Sequence, residues 1–219
     1  MSEHHHDAEV MYDEGFWNDF YGSSPHVWSG NPNPQLAAEA ADLKAGRALD
    51  VGSGEGADAL WLARRGWEVV ATDISIVALE RAAEQARNVD SSAAARIEWR
   101  QVDLRLHPPE PDSFDLVSAQ FMQLPPEPRT HLFTSLVASV RPGGRLLVVG
   151  HHPSDMATGV HRPPRPDLFY TADDVAGLLD DSWEVVVNEA RPRPTTTPEG
   201  VEATIHDAVL LATRRAVTA

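Results

Sequence analysis

The chain has 219 residues, 42% of them hydrophobic, and a formal net charge of −15. That length and apolar content suit one globular domain with a substantial core, and the acidity argues against nucleic-acid binding or attraction to an anionic membrane. The absence of cysteine removes disulfides, thiolate metal sites and cysteine nucleophiles; no apolar run approaches the roughly 18 residues of a membrane span, and the opening Met1-Ser2-Glu3-His4-His5-His6 lacks a signal peptide's apolar region, so the cytoplasm is the default location.

The first 35 residues are aromatic and polar, with Tyr12, Phe16, Trp17, Phe20, Tyr21 and Trp28. Phe16 with Phe20, and Trp17 with Tyr21, stand four residues apart, which predicts a short helix lying over a sheet. We read 1–35 as an N-terminal aromatic cap segment and 36–219 as one catalytic-type domain. His4, His5 and His6 are adventitious chelators and are set aside. Pro32-Asn33-Pro34 then leads into a helix over 35–43.

From there apolar runs alternate with helical patterns. Strands are predicted at 48–51, 67–72, 96–101, 114–119 and 145–150, with helices at about 56–65, 75–88 and 127–140. This repetition implies right-handed crossovers and an α/β, doubly wound parallel sheet. Arg141-Pro142-Gly143-Gly144 is a helix stop. Residues 151–170 are rich in proline and without periodicity, the texture of a lid or binding loop. A short helix over 171–179 follows, opened by Thr171 with Asp174 three residues on, a capping-box pattern. Next come a strand at 183–189, a turn-rich 191–200 and a strand at 207–213. Two strands with no helix between them form an antiparallel pair. The expected sheet is seven-stranded and mostly parallel, with an antiparallel last strand.

The most informative stretch is Asp50-Val51-Gly52-Ser53-Gly54-Glu55-Gly56, a strand running into a glycine turn and then a helix. Glycine lets backbone N–H groups approach a ligand closely, so this is a nucleotide-cradling pattern. Three readings compete. A plain strand-to-helix connection is one. A dinucleotide site is another, since Gly52, Gly54 and Ala57 satisfy the loose G-x-G-x-x-G/A spacing. Against a pyrophosphate stand Asp50, Glu55 and Asp58, each repelling it by about 3 kcal/mol at ~6 Å and an effective dielectric near 20. No G-K-[ST] follows, so the turn is not a P-loop. The third reading is S-adenosylmethionine, whose ammonium and sulfonium suit an acidic turn while helix N–H groups suit its carboxylate.

The stretch from Ala48 to Ser75 resembles motif I through the second strand of the class I S-adenosylmethionine-dependent methyltransferases. The resemblance continues through Phe114-Asp115-Leu116-Val117 and Arg141-Pro142-Gly143-Gly144-Arg145-Leu146-Leu147, covering about 36–215. Within that class the Trp17…Tyr21…Trp28 lead-in is most similar to small bacterial tellurite-resistance and thiopurine-type enzymes.

The resemblance implies a cofactor, S-adenosylmethionine, and roles for particular residues. Asp50, Gly52, Ser53, Gly54 and Gly56 form the turn that cradles it. Asp73, 21 residues after Gly52, binds the ribose hydroxyls, with Ile74 packing on the adenine. Asp103 receives the adenine amino group, flanked by Val102 and Leu104. Ala119, Gln120 and Phe121 line the methionine end. Trp17, Tyr21 and Trp28 read as a roof over cofactor or substrate, or as a hydrophobic staple of the first helix. A sulfonium near an aromatic face gains about 0.5–2 kcal/mol. His151 and His152 follow the fifth strand, at the sheet end where α/β active sites open, and His161 lies on the same loop. His151 is the candidate general base and His152 a substrate contact; no metal site is expected, because adjacent histidines diverge and further ligands are lacking. His206-Asp207 opens the last strand and reads as structural.

The expected function is methyl transfer to a small-molecule nucleophile, without nucleic-acid or membrane partners. A cofactor-binding regulatory or partner protein without transferase activity is the alternative, and a nicotinamide oxidoreductase a remote one. Specificity is expected in 1–35, 151–170 and 191–206; nothing in the sequence fixes the acceptor or the oligomeric state.

Overall fold

The computed structural model describes residues 12–160, 162 and 165–216. His4, His5, His6 and His161 therefore lie outside the described residues. Seven strands form one mixed sheet in the order β3-β2-β1-β4-β5-β7-β6, an α/β doubly wound arrangement. The chain divides into two compact units at His107/Pro108.

The first unit holds α1 (Glu14–Gly22), α2 (Pro34–Ala40), β1 (Arg47–Val51), α3 (Ala57–Arg64), β2 (Glu68–Asp73), α4 (Ile76–Val89), α5 (Ser91–Ala94) and β3 (Ile97–Gln101). β1 runs parallel to β2, from Arg47 opposite Glu68 to Val51 opposite Thr72. β2 runs parallel to β3, and Asp73 faces Gln101 at the carboxyl ends. Leu49, Val51, Val69, Val70 and Ala71 are buried, the near-continuous apolar run of a strand covered on both faces. α4 buries Ala78, Leu79, Ala82 and Ala86, a stripe at helical spacing. Its N-cap is Ser75, whose hydroxyl accepts the Ala78 N–H at 3.2 Å.

The second unit holds β4 (Phe114–Gln120), α6 (Pro126–Ser139), β5 (Val140–His151), two 3-10 turns (Pro153–Ala157 and Pro166–Leu168), α7 (Ala172–Ala176), β6 (Trp183–Thr196) and β7 (Glu202–Arg214). β4 and β5 are parallel, whereas β7 pairs antiparallel with both β5 and β6. Leu116, Val117, Leu146, Leu147, Val148 and Val149 of the parallel pair are buried, alternating between the two faces of the sheet, and so are Leu132, Phe133 and Leu136 of α6. α7 opens with the expected capping box of Thr171 and Asp174.

Two predicted boundaries are corrected. The fifth strand starts at Val140 rather than 145, because Val140 pairs with Phe114 before a register shift brings Arg145 opposite Leu116. The Arg141–Gly144 stretch is thus a bulge as well as a helix stop, and Gly144 is needed there: a β-carbon would lie 2.9 Å from the Phe114 carbonyl oxygen. The second correction is at 191–196, read as turn and found as strand through Thr196. Pro192 and Pro194 suggested a turn, but β6 is an edge strand. Two residues apart, both prolines share one side of the strand, so the missing N–H groups do not break the ladder to β7.

Candidate functional site

The glycine turn at the end of β1 is wound tightly by the backbone. Ser53 N–H donates to the Thr72 carbonyl at 2.9 Å, and Gly56 N–H to the Ser53 carbonyl at 2.9 Å. Gly52, Gly54 and Gly56 have φ of +67°, +51° and +80°, the left-handed region that side chains disfavour. At Gly56 a β-carbon would lie 2.5 Å from the Trp99 ring and 2.9 Å from Ala82 Cβ; at Gly54 it would lie 2.8 Å from the Tyr21 hydroxyl. So Gly56 lets the start of α3 close on its neighbours, and Gly54 lets a phenol sit directly on the turn.

The carboxylates divide into distinct jobs. Asp73, at the end of β2, accepts the Gly54 N–H on Oδ2 at 2.8 Å and the Ser75 N–H on Oδ1 at 2.9 Å. Burial pushes its pKa up, opposed by these bonds. Glu55 accepts the N–H groups of Val27 and Trp28 at 3.1 and 3.0 Å and pairs with Arg81 at 3.5 Å. Asp58 accepts the Asn33 N–H at 2.6 Å, and burial pushes its carboxyl up to about 6. Of the three carboxylates counted on the turn, Glu55 and Asp58 therefore hold the backbone of 27–33. Asp50 is different. It is 1% exposed, and its Oδ2 has no hydrogen-bond partner among the described residues. Burial first, then the nearby Asp58 and Asp73, hold its pKa well above the ordinary carboxylate range. The Ser53 hydroxyl is also buried without a partner.

The aromatic cap is fastened to this turn. Besides the bonds to Glu55 and Asp58, Arg81 donates to the Ser24 carbonyl at 2.7 Å, Ser75 Oγ to Asn18 at 2.7 Å, and Gln101 to Glu14 at 2.9 Å. Tyr21 is buried, and its hydroxyl accepts the Trp28 indole N–H at 3.2 Å. Burial and the Asp73 carboxylate hold its phenol protonated, far above the ordinary value. Trp28 itself is 55% exposed. Trp17 lies among the rings of Tyr12, Phe16, Phe20 and Tyr21, with centroids 5.3 to 6.2 Å away, which is the staple arrangement.

Beyond β3, Val102 N–H donates to the Asp73 carbonyl at 3.0 Å, fixing the 102–104 segment beside the ribose candidate. Ile74, Val102 and Leu104 are half-buried. Asp103 is gripped by Arg105, whose Nε and terminal nitrogen reach its carboxylate at 2.9 and 2.6 Å. Burial would raise the Asp103 pKa, but the Arg105 guanidinium and N–H outweigh it and hold the group low. Arg105 escaped the sequence reading; its two-residue spacing from Asp103 was the available signal.

In the second unit, the carboxyl ends of β4 and β5 carry the other candidates. Ala119 is fully buried in the strand. Gln120 donates from Nε2 to Ser118 Oγ at 2.7 Å, while its Oε1 is buried without a partner. Phe121 has φ of +53°, a conformation that strains a bulky side chain, and its N–H donates to the Val149 carbonyl at 2.7 Å. Its ring lies 4.6 Å from the His151 ring, which is 6.3 Å from that of Phe169. His151 Nδ1 is buried without a partner, and burial first, then the Arg162 cation, lowers its pKa to about 4 against the pull of Asp155 and Asp207. Gln123 has both side-chain polar atoms buried without a partner.

His152 turns to local work: its Nδ1 accepts the Ser154 N–H at 3.2 Å and contacts Ser154 Oγ at 2.9 Å, capping the first 3-10 turn. Buried Asp155 accepts Arg162 at 2.9 Å and the His206 N–H at 2.7 Å, joining the first 3-10 turn to β7. His206 and Asp207 lie within β7 rather than opening it, and Asp207 is bound by Arg193 at 3.1 and 3.2 Å. No group of three or more metal-ligating side chains occurs among the described residues, and no described helix is long and apolar enough to cross a membrane.

Residues 48–144 match a family model described as a methyltransferase domain. Over 152 residues, 67% of this chain, the sequence is 32% identical to methyltransferase GfsG of Streptomyces halstedii, and it spans 54% of that protein, about half its length. The fold is similar to a solved structure concerned with the conversion of a disulfide bond into a thioacetal group during echinomycin biosynthesis, with a TM-score of 0.70, 22% identity and 94% of each chain covered. It is also similar to Burkholderia thailandensis 1,6-didemethyltoxoflavin-N1-methyltransferase, solved with 1,6-didemethyltoxoflavin and S-adenosylhomocysteine bound. There the TM-score is 0.67 and the identity 17%, over 98% of this chain and 92% of that one. At such identities the structural likeness establishes the fold.

Proposed function

This chain belongs to the class I S-adenosylmethionine-dependent methyltransferases, and we propose that it transfers a methyl group to a small-molecule acceptor. The observation that carries the reading is the buried, unpartnered Asp50 Oδ2 beside a left-handed glycine turn. A buried acceptor of this kind costs stability until a donor meets it, and a cationic donor relieves most. The ammonium of S-adenosylmethionine is such a donor. When bound, the cofactor supplies a methyl carbon on a positively charged sulfur, open to in-line displacement by an acceptor lone pair.

The chain's own residues do the rest. Asp50, Gly52, Ser53, Gly54 and Gly56 hold the amino-acid end, and the protonated Tyr21 phenol closes on the turn. Asp73 accepts backbone N–H groups of Gly54, Ser75 and Ile74, which lock the carboxylate in orientation, and it turns its remaining acceptor capacity to the ribose hydroxyls. Ile74, Val102 and Leu104 flank the adenine and Asp103 takes its amino group. Ala119, Gln120 and Phe121 serve the methionine end, Trp28 offers an exposed aromatic face, Trp17 supports it from within the cap, and His152 is a peripheral acceptor contact. The segment 1–35 acts as a cap on a domain formed by 36–219.

His151 suits contact better than base catalysis. With its pKa near 4 it is neutral at neutral pH but a weak base, far from the match that efficient proton transfer needs. Rate enhancement then rests on alignment and exclusion of water. The small acceptor is supported by the formal net charge of −15, which offers no broad basic surface for a nucleic-acid acceptor.

Isothermal titration with S-adenosylmethionine and S-adenosylhomocysteine tests the core reading. Binding at micromolar concentration is expected; no binding below 1 mM ends it. Turnover to S-adenosylhomocysteine across a panel of thiols, phenols, amines and chalcogen oxyanions separates an enzyme from a binding protein.

A further inference from the structure

Four buried polar atoms without partners lie on three residues of the second unit, Gln120 and Gln123 at the end of β4 and His151 at the end of β5: Gln120 Oε1, Gln123 Oε1, Gln123 Nε2 and His151 Nδ1. Buried polar atoms are satisfied in the great majority of cases, so several orphans close together call for an absent partner. The backbone brings them together. Gln120 lies opposite Val149 in the parallel β4–β5 pair, and Phe121 N–H is bonded to the Val149 carbonyl. Phe121 then leaves β4 in its left-handed conformation and sets its ring 4.6 Å from that of His151, tilted by 34°, two residues past Val149. Gln123 is two residues further along the same turn. This is the carboxyl end of parallel strands, where ligands of open α/β sheets bind.

The chemistry of the orphans is specific. A primary amide presents a donor and an acceptor side by side, so Gln123 matches a molecule edge that offers an acceptor beside a donor in two parallel hydrogen bonds. None of the three side chains carries a formal charge when His151 is neutral, and the cation near His151, Arg162, is already neutralised by Asp155 at 2.9 Å, so the set favours an uncharged partner. The flanking Phe121 ring favours a flat partner.

We propose that Gln123 and His151, next to the Gln120 that serves the methionine end, recognise the methyl acceptor, and that the acceptor is an uncharged planar heterocycle with a lactam-type edge, an N–H beside a C=O or its hydroxy tautomer. This rests on the methyl-transfer reading and names its substrate class. In the reaction the acceptor's ring nitrogen or oxygen lone pair forms the bond to the methyl carbon, the carbon–sulfur bond breaks with its electron pair on sulfur, and the acceptor's N–H or O–H proton leaves to solvent. Gln123 is a specificity residue: it holds the edge and does not take the proton. The proposal disfavours chalcogen anions, which would ask for a charged partner.

The test is binding to protein saturated with S-adenosylhomocysteine, using 2-quinolinone, 2-naphthol (the same shape without the ring nitrogen) and ionised thiophenol. The wild-type protein is expected to bind 2-quinolinone at least about 10-fold more tightly than either comparator, the fold-change for one well-made hydrogen bond to a buried group. Gln123→Leu is expected to bring the quinolinone-to-naphthol ratio to about 1, and Gln123→Asn to keep part of it. Equal binding of quinolinone and naphthol, tighter thiophenolate, binding of none of the three, or a ratio unchanged in Gln123→Leu overturns the proposal. The wild-type ratio stands as a test even if the leucine variant does not fold. Failure of S-adenosylhomocysteine itself to bind is a separate result, and it overturns the family-level reading instead.

Discussion

The two polar clusters, one in each unit, are built on opposite principles. In the first unit, most carboxylates of the glycine turn are satisfied: Asp73, Glu55 and Asp58 all accept backbone N–H groups, and one oxygen of Asp50 and the Ser53 hydroxyl are left over. In the second unit, four polar atoms near Phe121 and His151 have no partner. A saturated site is rigid before its ligand arrives, which suits a cofactor whose shape never changes. An unsaturated one leaves binding energy unspent, which suits discrimination between acceptors. At the first cluster most polar groups are spent on bracing the backbone, Asp50 Oδ2 and Ser53 Oγ excepted, while those at the second cost stability until a partner meets them.

Substitutions can break that contrast. Asp73→Ala carries the largest expected effect, because it strands the Gly54 and Ser75 N–H groups together; about 2–4 kcal/mol of unfolding free energy should be lost in urea titration, along with cofactor affinity. An unchanged denaturation midpoint would contradict the saturated picture. Gly56→Ala comes next, at about 2–3 kcal/mol, since the added methyl meets Trp99 at 2.5 Å in a left-handed backbone. Glu55→Gln should cost about 1 kcal/mol by weakening charge-assisted bonds to Val27 and Trp28. Its sharper signature is faster amide exchange at those two residues than anywhere in β1 or β2.

The pH dependence should also separate the two regions. Asp58 has its folded pKa raised to about 6, so its contribution is present below the unfolded value near 3.8 and is lost as pH rises toward 6. His151 has its folded pKa lowered to about 4, so its contribution is present above the unfolded value near 6.5 and is lost as pH falls toward 4. Relative to the parent, Asp58→Asn should gain more in melting temperature at pH 6.5 than at 4.5, and His151→Phe more at 4.5 than at 6.5. Both variants shifting in the same direction would refute the assignment. The smallest effect is expected from Gln123→Leu, within about 0.5 kcal/mol of the parent or slightly stabilising, because removing an orphaned amide relieves its burial. A loss above 2 kcal/mol there would mean that Gln123 is satisfied after all.

Much of this was visible along the chain. The strand–helix alternation gave five parallel strands to within a few residues at most starts and ends, since apolar runs bounded by glycine and proline are local signals. It failed at 191–196, where two prolines imitate a turn and only the position of β6 at the sheet edge makes them tolerable. The glycine turn, Asp50 and Asp73 were likewise legible, because spacing alone puts them at the ends of adjacent strands. Glu55 and Asp58 could be counted but not assigned, since their partners, Val27, Trp28 and Asn33, are more than 20 residues distant. Gln123 carried no signal at all. A glutamine in a loop is ordinary until burial strips it of water.

By itself, then, the sequence determined the α/β alternation, the cradle for a nucleoside and the acidic character of that cradle, all of which follow from neighbours in the chain. Only the tertiary structure decided that Glu55 and Asp58 brace the backbone of 27–33 while one oxygen of Asp50 is left without a partner. It also decided that His151 is a neutral, weakly basic ring, and that Gln120 and Gln123 are orphaned. The physical reason is common to all of these: hydrogen-bond satisfaction and desolvation depend on what the rest of the fold brings alongside a group, and no local pattern encodes that.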